Sequence, residues 1–441
     1  MSETRKMRLG VFVMTAGHHV AAWRHPEAYR GDSLAEYAQL ARIAEHAKFD
    51  LLFAADTLSA RIRNRHAAEH SAHNFSTALF EPLTLISALS ALTTKLGFVA
   101  TASTTFTEAY NLARLFASAD HLSGGRVGWN IVTTADPESA LNFGMNQVLE
   151  HDERYVRADE YVRLVCGLWD SWADEAIVRD HANGKWLDLD KLRFHGHTGD
   201  YLKVAGPLNI PRPPQGHPVL VQAGSSGPGR DLAARHADVV FTAGTIKQQA
   251  VEFYDDMKAR ARGFGRDPAK LIIMPGISPI VGSTEEEAKR RLTQLNDGIE
   301  IDVAVESLHN FMPDIGVRNF ALDEPVPDVA EITQAQQSRQ KLAWDMARRE
   351  RMTMRELALW FAGTRGHNTV VGTPEQIADA MEDFFQGGCD GFNVMPMMFP
   401  DIYRDFAEQV VPLLQKRGLF REEYEGSTLR DHLGLERPEL V

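Results

Sequence analysis

The sequence predicts an α/β protein, a (β/α)8 TIM barrel with insertion segments, and three observations carry that reading. Short apolar runs of β type alternate with longer segments of helical period, eight such runs can be traced, and polar side chains collect where the runs end. The runs are too regularly separated by helices for a bundle or a sandwich. An open doubly wound sheet is the competing architecture, but it needs a topological switch and usually fewer strands.

The elements follow in order. The first strand is Leu9 to Met14, followed by a helix over Ser33 to Phe49 with Leu34, Tyr37, Ala38, Ala41 and Ala44 on one face. The second strand is Leu51 to Asp56. A helix over Glu81 to Thr93 leads to the strand Leu96 to Ser103, and a helix over Ala109 to Leu122 leads to Val127 to Thr133. Leu122-Ser-Gly-Gly-Arg126 is a helix stop. After a helix from Asp152 to Trp172 the alternation breaks. Residues 173–217 read as an insertion, with a hairpin around His195 to Leu202 and a proline-rich stretch from Pro207 to Pro218. Alternation resumes with Val219 to Ala223, a helix from Arg230, Val239 to Ala243, a helix over Lys247 to Arg262, and Leu271 to Val281. A second irregular region spans about 297–331 before helical residues lead to Gly366. Gly372-Thr-Pro-Glu375 opens a helix, with Thr373 as N-cap, Pro374 at the first position and Gln376 at the third. Gly391 to Met395 is the last strand, and a helix over Ile402 to Arg417 closes the pattern. The expectation is one domain over 1–441 with insertions at about 57–75, 173–217 and 297–331.

Composition narrows the function classes. A net charge of −13 argues against nucleic acid or an anionic membrane as partner. The two cysteines, Cys166 and Cys389, form no C-x-x-C pair and read as reduced thiols, which points to a cytoplasmic protein. No apolar run is long enough for a membrane span, and Met1 to Gly10 has no apolar signal segment.

Chemistry in a barrel of this kind gathers at the C-terminal ends of the strands. Asp56 ends the second strand, Thr101 and Ser103 the third, and Asn130 and Thr133 the fourth; any one of them alone could be an N-cap. Val219-Leu-Val-Gln-Ala-Gly-Ser-Ser-Gly-Pro-Gly-Arg230 runs from strand to helix through small residues, so its N–H groups and the Ser225 and Ser226 hydroxyls can converge on a phosphate; a plain tight turn is as good a reading of the spacing. His151 and Tyr155 lie four apart at a helix start and share a face; spacing alone favours a partly buried helix start. His66-Ala-Ala-Glu-His70, with His73 beyond it, matches a zinc-hydrolase pattern, but it falls in a polar stretch, Thr57 to Phe75, that reads better as a substrate lid without metal. Arg61, Arg63 and Arg65 in that lid can clamp an anion or form a solvated charge run. Neither a G-x-G-x-x-G after a strand nor a G-x-x-x-x-G-K-[ST] is present, so reducing equivalents would arrive on a carrier loaded elsewhere.

An ordered series of stretches then resembles the nitrilotriacetate monooxygenase component A and dibenzothiophene sulfone monooxygenase family of two-component, FMN-dependent monooxygenases, within the bacterial luciferase-like superfamily. The matches are Trp23-Arg-His-Pro26, Lys48-Phe-Asp-Leu-Leu-Phe53 with Asp56, Ala117-Ser-Ala-Asp-His-Leu-Ser-Gly-Gly-Arg-Val-Gly-Trp-Asn130, Glu150-His-Asp-Glu-Arg-Tyr155, Gly206-Pro-Leu with Pro214-Gln-Gly216, Gln222-Ala-Gly-Ser-Ser226 and Gly372-Thr-Pro-Glu375. The resemblance implies an oxygenase fed with reduced FMN in trans by a separate NAD(P)H:FMN reductase, using O2, and assembled as a homodimer or homotetramer. It places Asp56, Thr101, Ser103, Asn130 and Thr133 near the isoalloxazine and His151, Tyr155, Ser225 and Ser226 at the ribityl phosphate. His18 or His19, and more weakly His309, are the catalytic expectations. The lid arginines favour a small carboxylate-bearing amine or thioether, oxygenated at a C–N or C–S centre. Sulfones, sulfides and alkanes are the alternatives within the family; a deazaflavin-dependent dehydrogenase, a zinc hydrolase or a flavin binder without catalysis are those outside it.

Overall fold

A computed structural model describes residues 5–60, 80–194, 196–244, 246–329 and 337–440. Its centre is a closed parallel barrel. The strands are β1 (Arg8–Val13), β2 (Leu51–Ala54), β3 (Gly97–Ser103), β4 (Val127–Val132), then two small hairpins β5 (Ile177–Asp180) with β6 (Lys185–Leu187) and β7 (His197–Thr198) with β8 (Lys203–Val204), then β9 (Val219–Gln222), β10 (Val239–Thr242), β11 (Ile272–Val281), β12 (Asn368–Gly372) and β13 (Gly391–Val394). The barrel runs β1-β2-β3-β4-β9-β10-β11-β13 and back to β1, each neighbour parallel. These are the eight strands expected, and the two hairpins fall in the 173–217 insertion.

The helices start where the side chains say they should. Ser33 caps Leu34–His46, Glu81 caps Pro82–Ser90, and Thr373 with Gln376 forms a capping box on Pro374–Gly388. Their apolar faces pack on the barrel in one core that includes Trp129, Trp169, Phe98, Phe116, Phe392 and Phe406.

Two expectations need correction. The stretch 297–331 is not simply irregular: Ile301–Phe311 is an α-helix, and it packs with Gln337–Glu350 and Met354–Thr364 around Leu308, Met312, Trp344, Leu357 and Phe361, a core separate from the barrel's. The apolar spacing of Val303, Ala304 and Leu308 carries that helix. The second correction is a ninth strand in the main sheet, β12, which the helical reading up to Gly366 overlooked. On one edge of β11, residues 272–275 pair with β10; from Ile277 to Val281 that edge pairs with β12 instead. The opposite edge stays with β13. The partner change at Gly276 opens the barrel wall at its C-terminal end, and the helical insertion enters there.

Buried charge locks the other end. Arg126, just before β4, donates to Ser123 O, Thr93 Oγ1, Leu96 O, Ser90 O and Thr93 O at 2.7–3.2 Å, so one guanidinium satisfies the carbonyls that end the Pro82–Ser90 helix and lead into β3. Arg126→Met leaves these acceptors buried and unpaired, and should cost at least about 3 kcal/mol in guanidinium chloride denaturation; a loss below about 1 kcal/mol would show that water replaces the guanidinium there.

Candidate functional site

At the C-terminal mouth of the barrel lies an open cavity of about 1000 Å³. Its floor is aromatic: Phe53 touches Phe12 at a ring separation of 4.6 Å and Phe241 at 4.9 Å. The β9 turn lines it with Ala223, Ser225, Ser226 and Arg230, and the insertion lines it with Arg339, Trp344 and Arg348, together with His367 before β12.

The β9 turn has the form of an anion cup. Ser226 caps the helix Gly227–His236, its Oγ accepting from Gly229 N at 3.3 Å. A Cβ built on Gly229 would stand 3.0 Å from Ser226 Oγ, 3.1 Å from Tyr155 Oη and 3.2 Å from Gly224 Cα. Tyr155, from the helix His151–Trp169, thus reaches the head of the Gly227–His236 helix, and the two glycines keep the cup open. His151 stands 5.1 Å from the Tyr155 ring, as their four-residue spacing requires, and its Nδ1 is 2.7 Å from Asp152 Oδ1. Arg230 does not point its charge freely into the cup: it donates to Ser225 O at 2.9 Å and pairs with Asp256 at 2.8 Å.

Across the mouth, β3 and β4 carry a polar seam. Asn130 Nδ2 donates to Thr101 Oγ1 at 2.9 Å, and Thr101 Oγ1 donates to Ala54 O at 3.0 Å. The Asn130 Oδ1 that remains is buried with no partner among the described residues. Ser103 Oγ accepts from Thr105 N, Phe106 N and Thr134 Oγ1, so this hydroxyl is spent on the turn after β3. Thr133 adds its carbonyl to that turn, accepting from Thr105 Oγ1 at 2.7 Å. Asp56 lies just past the end of β2; burial, helped by the Glu81 charge, pushes its carboxyl up to about 6.

The histidines divide. His19 uses both ring nitrogens, Nε2 with Asn296 Oδ1 at 3.1 Å and Nδ1 accepting from Ala21 N at 3.2 Å, and so ties the loop after β1 to the helix Glu285–Asn296. His18 lies edge-on to Phe12, 4.4 Å between rings, and its Nε2 is 2.9 Å from Phe12 O. A carbonyl only accepts, so Nε2 carries the proton and the buried Nδ1 keeps a lone pair with no partner among the described residues. Burial drives His18 down to about 3 and His19 to about 4. His309 sits on the helix Ile301–Phe311 among Glu306, Asp314 and Arg318 and is not brought to the cavity. Arg61, Arg63, Arg65, His66, Glu69, His70 and His73 lie outside the described residues. Among the described residues no group of three or more His, Cys, Asp or Glu could hold a metal ion, and no helix is long and apolar enough to cross a membrane.

Sequence reading missed Arg339 and His367, both on the cavity wall. The run Asn368-Thr-Val-Val-Gly372 is a β-type signal that could have placed His367 at a strand start. Nothing local marks Arg339, which is 28 residues away in sequence from the ring it touches.

A closed parallel barrel with an aromatic-floored cavity at the C-terminal ends of its strands defines an enzyme of the α/β-barrel class. The chain belongs to the luciferase-like monooxygenase family, whose model matches residues 7–391, and it is a flavin-dependent monooxygenase. It is 48% identical over 441 residues to N-acetyl-S-(2-succino)cysteine monooxygenase of Bacillus subtilis (strain 168), covering 99% of this chain and 98% of that one. It is 43% identical over 445 residues to nitrilotriacetate monooxygenase component A of Aminobacter aminovorans, again 99% and 98%. Among solved structures, a riboflavin lyase with modified FMN and riboflavin superposes with a TM-score of 0.87 at 31% identity, covering 98% of this chain and 97% of that one.

The buried imidazoles set an acid limit. With His18 lowered to about 3, the unfolded chain binds a proton near pH 6.5 that the folded chain refuses, so stability falls as pH drops from about 6.5 towards 3. His18→Gln should flatten the slope of unfolding free energy against pH between 4 and 6 by about 1.4 kcal/mol per pH unit. An unchanged slope in urea titrations at several pH values would mean that His18 is protonated in the folded protein.

Proposed function

We propose that this chain is the oxygenating component of a two-component system: it takes reduced FMN from a separate NAD(P)H:FMN reductase and inserts one oxygen atom of O2 into a small carboxylate-bearing amine or thioether, at carbon next to nitrogen or sulfur or at sulfur itself. The observation that carries this reading is the cup formed by Ser226 Oγ, Tyr155 Oη and the Gly224 and Gly229 backbone at the head of the Gly227–His236 helix. A helix N-terminus with two hydroxyls and space that a Cβ would fill suits a phosphate monoester. The two relatives named above act, by their names, on an acidic thioether and an acidic amine, which supports the substrate class. The name component A supports the separate reductase.

In this reading Ser225, Ser226, Tyr155 and His151 hold the phosphate. Asp56, Thr101, Asn130 and Thr133 flank the isoalloxazine, with Asn130 Oδ1, which has no partner among the described residues, accepting a hydrogen bond from it. Ser103 supports the β3 turn that carries them. Bound reduced FMN supplies the two electrons that activate O2. The chain's own part is to position, exclude water and manage protons. Phe12, Phe53 and Phe241 keep the floor dry. His18, packed against Phe12 of the floor, stays neutral and offers Nδ1 as an acceptor of a proton or hydrogen bond. His19 serves as a structural tie, and His309 takes no part in the reaction. Arg61, Arg63 and Arg65 remain the expected outer clamp for the substrate's acid groups. The protein works as one domain, in the cytoplasm, as a homodimer or homotetramer.

Tyr155→Phe and Ser226→Ala should each raise the Kd for FMN about 5- to 20-fold while leaving the weaker binding of riboflavin, which lacks the phosphate, unchanged. Fluorescence titration with both flavins checks this. A parallel loss for riboflavin would place the phosphate elsewhere.

A further inference from the structure

One polar cluster on the cavity wall is left unused by the reading above. It lies where β11 changes partner. His367 immediately precedes β12 and packs against Gly276, on which a built Cβ would stand 2.4 Å from His367 Nδ1; the ring occupies space that only glycine leaves. Arg339 Nη2 lies 2.9 Å from His367 Nε2, and Arg339 Nη1 donates to Arg365 O at 2.5 Å. A guanidinium has no lone pair to offer, so Nε2 accepts and the neutral ring carries its proton on Nδ1. That Nδ1 is buried with no partner among the described residues.

Three arginines line the cavity, and they differ in one respect. Arg230 is neutralised by Asp256 at 2.8 Å and Arg348 by Asp328 at 3.0 Å, whereas Arg339 makes no ion pair with a carboxylate among the described residues. Its charged neighbour is instead another cation, Arg365, and burial and that repulsion together bring Arg339 down to about 10. A half-buried guanidinium held by two neutral acceptors beside a like charge is stabilised by an anion brought in from outside. Its planar fork, already fixed by those two hydrogen bonds, is ordered before the anion arrives.

We propose that Arg339 is the substrate's carboxylate anchor, its uncommitted N–H groups taking one acid group of the oxygenated molecule, and that His367 Nδ1–H, fixed as a donor by Arg339, gives a second hydrogen bond to the same molecule. This rests on the oxygenase reading and sharpens it: the acid group is read by the cavity wall that Arg339 and His367 form, in the same cavity that the Ser225 and Ser226 turn lines. The anchor is formed by residues 339 and 367, which are distant in sequence and joined through the β11–β12 junction.

The test uses the full-length protein with oxidised FMN bound and two probes, N-acetyl-S-(2-succino)cysteine and nitrilotriacetate, each compared with its fully methylated ester. Binding is read from the quenching of tryptophan fluorescence, and flavin affinity is measured alongside. Wild type should prefer one of the acids to its ester by about 10- to 100-fold. Arg339→Gln should lose most of that preference, Arg339→Lys should recover part of it, and FMN affinity should stay unchanged in both, which also reports that they fold. In turnover with reduced FMN the loss should fall on KM more than on kcat. Acid binding by Arg339→Gln equal to wild type, or no preference for acid in wild type, overturns the assignment. If the wild-type protein binds the acid through Arg339 yet fails to oxygenate it, the proposed substrate class fails and the anchor stands.

Discussion

The exchange of partners along β11 is the constraint on which the rest of the mouth depends. A ten-residue strand in a barrel whose other strands run four to seven residues cannot keep one neighbour on each edge along its whole length. Below Gly276 it closes the barrel between β10 and β13; above it, β12 takes over the β10 edge. The wall is therefore split at the end where barrels place chemistry. The split admits the helical insertion with its own apolar core, brings Arg339 and His367 to the cavity, and explains why Gly276 sits at the switch, since any side chain there would occupy the position of the His367 ring.

Electrostatics then sorts residues that look alike. His18 and His19 are neighbours, both buried and both held neutral, but one spends two nitrogens on structure and the other only one. The cavity arginines divide the same way, into Arg230 and Arg348, each with a carboxylate, and Arg339, which has none among the described residues. Asn130 Oδ1, His18 Nδ1 and His367 Nδ1 are among the buried polar atoms that have no partner among the described residues, and each costs free energy while it stays unpaired.

The eight barrel strands were legible because each is an apolar run bounded by turn residues, and helix starts were legible from local chemistry such as Ser33, Glu81 and the Thr373–Gln376 box. The cup at Ser225 and Ser226 was legible as a turn that could take a phosphate. What sequence could not decide was contact between distant segments. The part of Tyr155 at that cup depends on two helices packing, and the difference between His18 and His19 depends on Asn296, far along the chain. β12 was left unassigned because its five residues fill the short gap between the helical residues that end at Gly366 and the helix that Gly372-Thr-Pro-Glu375 opens. His309 attracted attention as a histidine in an insertion, but its helix folds into the satellite core and keeps it from the cavity.

The most direct measurement of the central claim is a single turnover under oxygen-18. The protein, loaded with reduced FMN and N-acetyl-S-(2-succino)cysteine or nitrilotriacetate, is mixed with labelled O2 and the products are weighed by mass spectrometry. The account predicts one oxygen-18 atom in a product of one of these acids, with the second atom leaving as water. Quantitative release of labelled hydrogen peroxide, with both acids recovered unchanged, would contradict it.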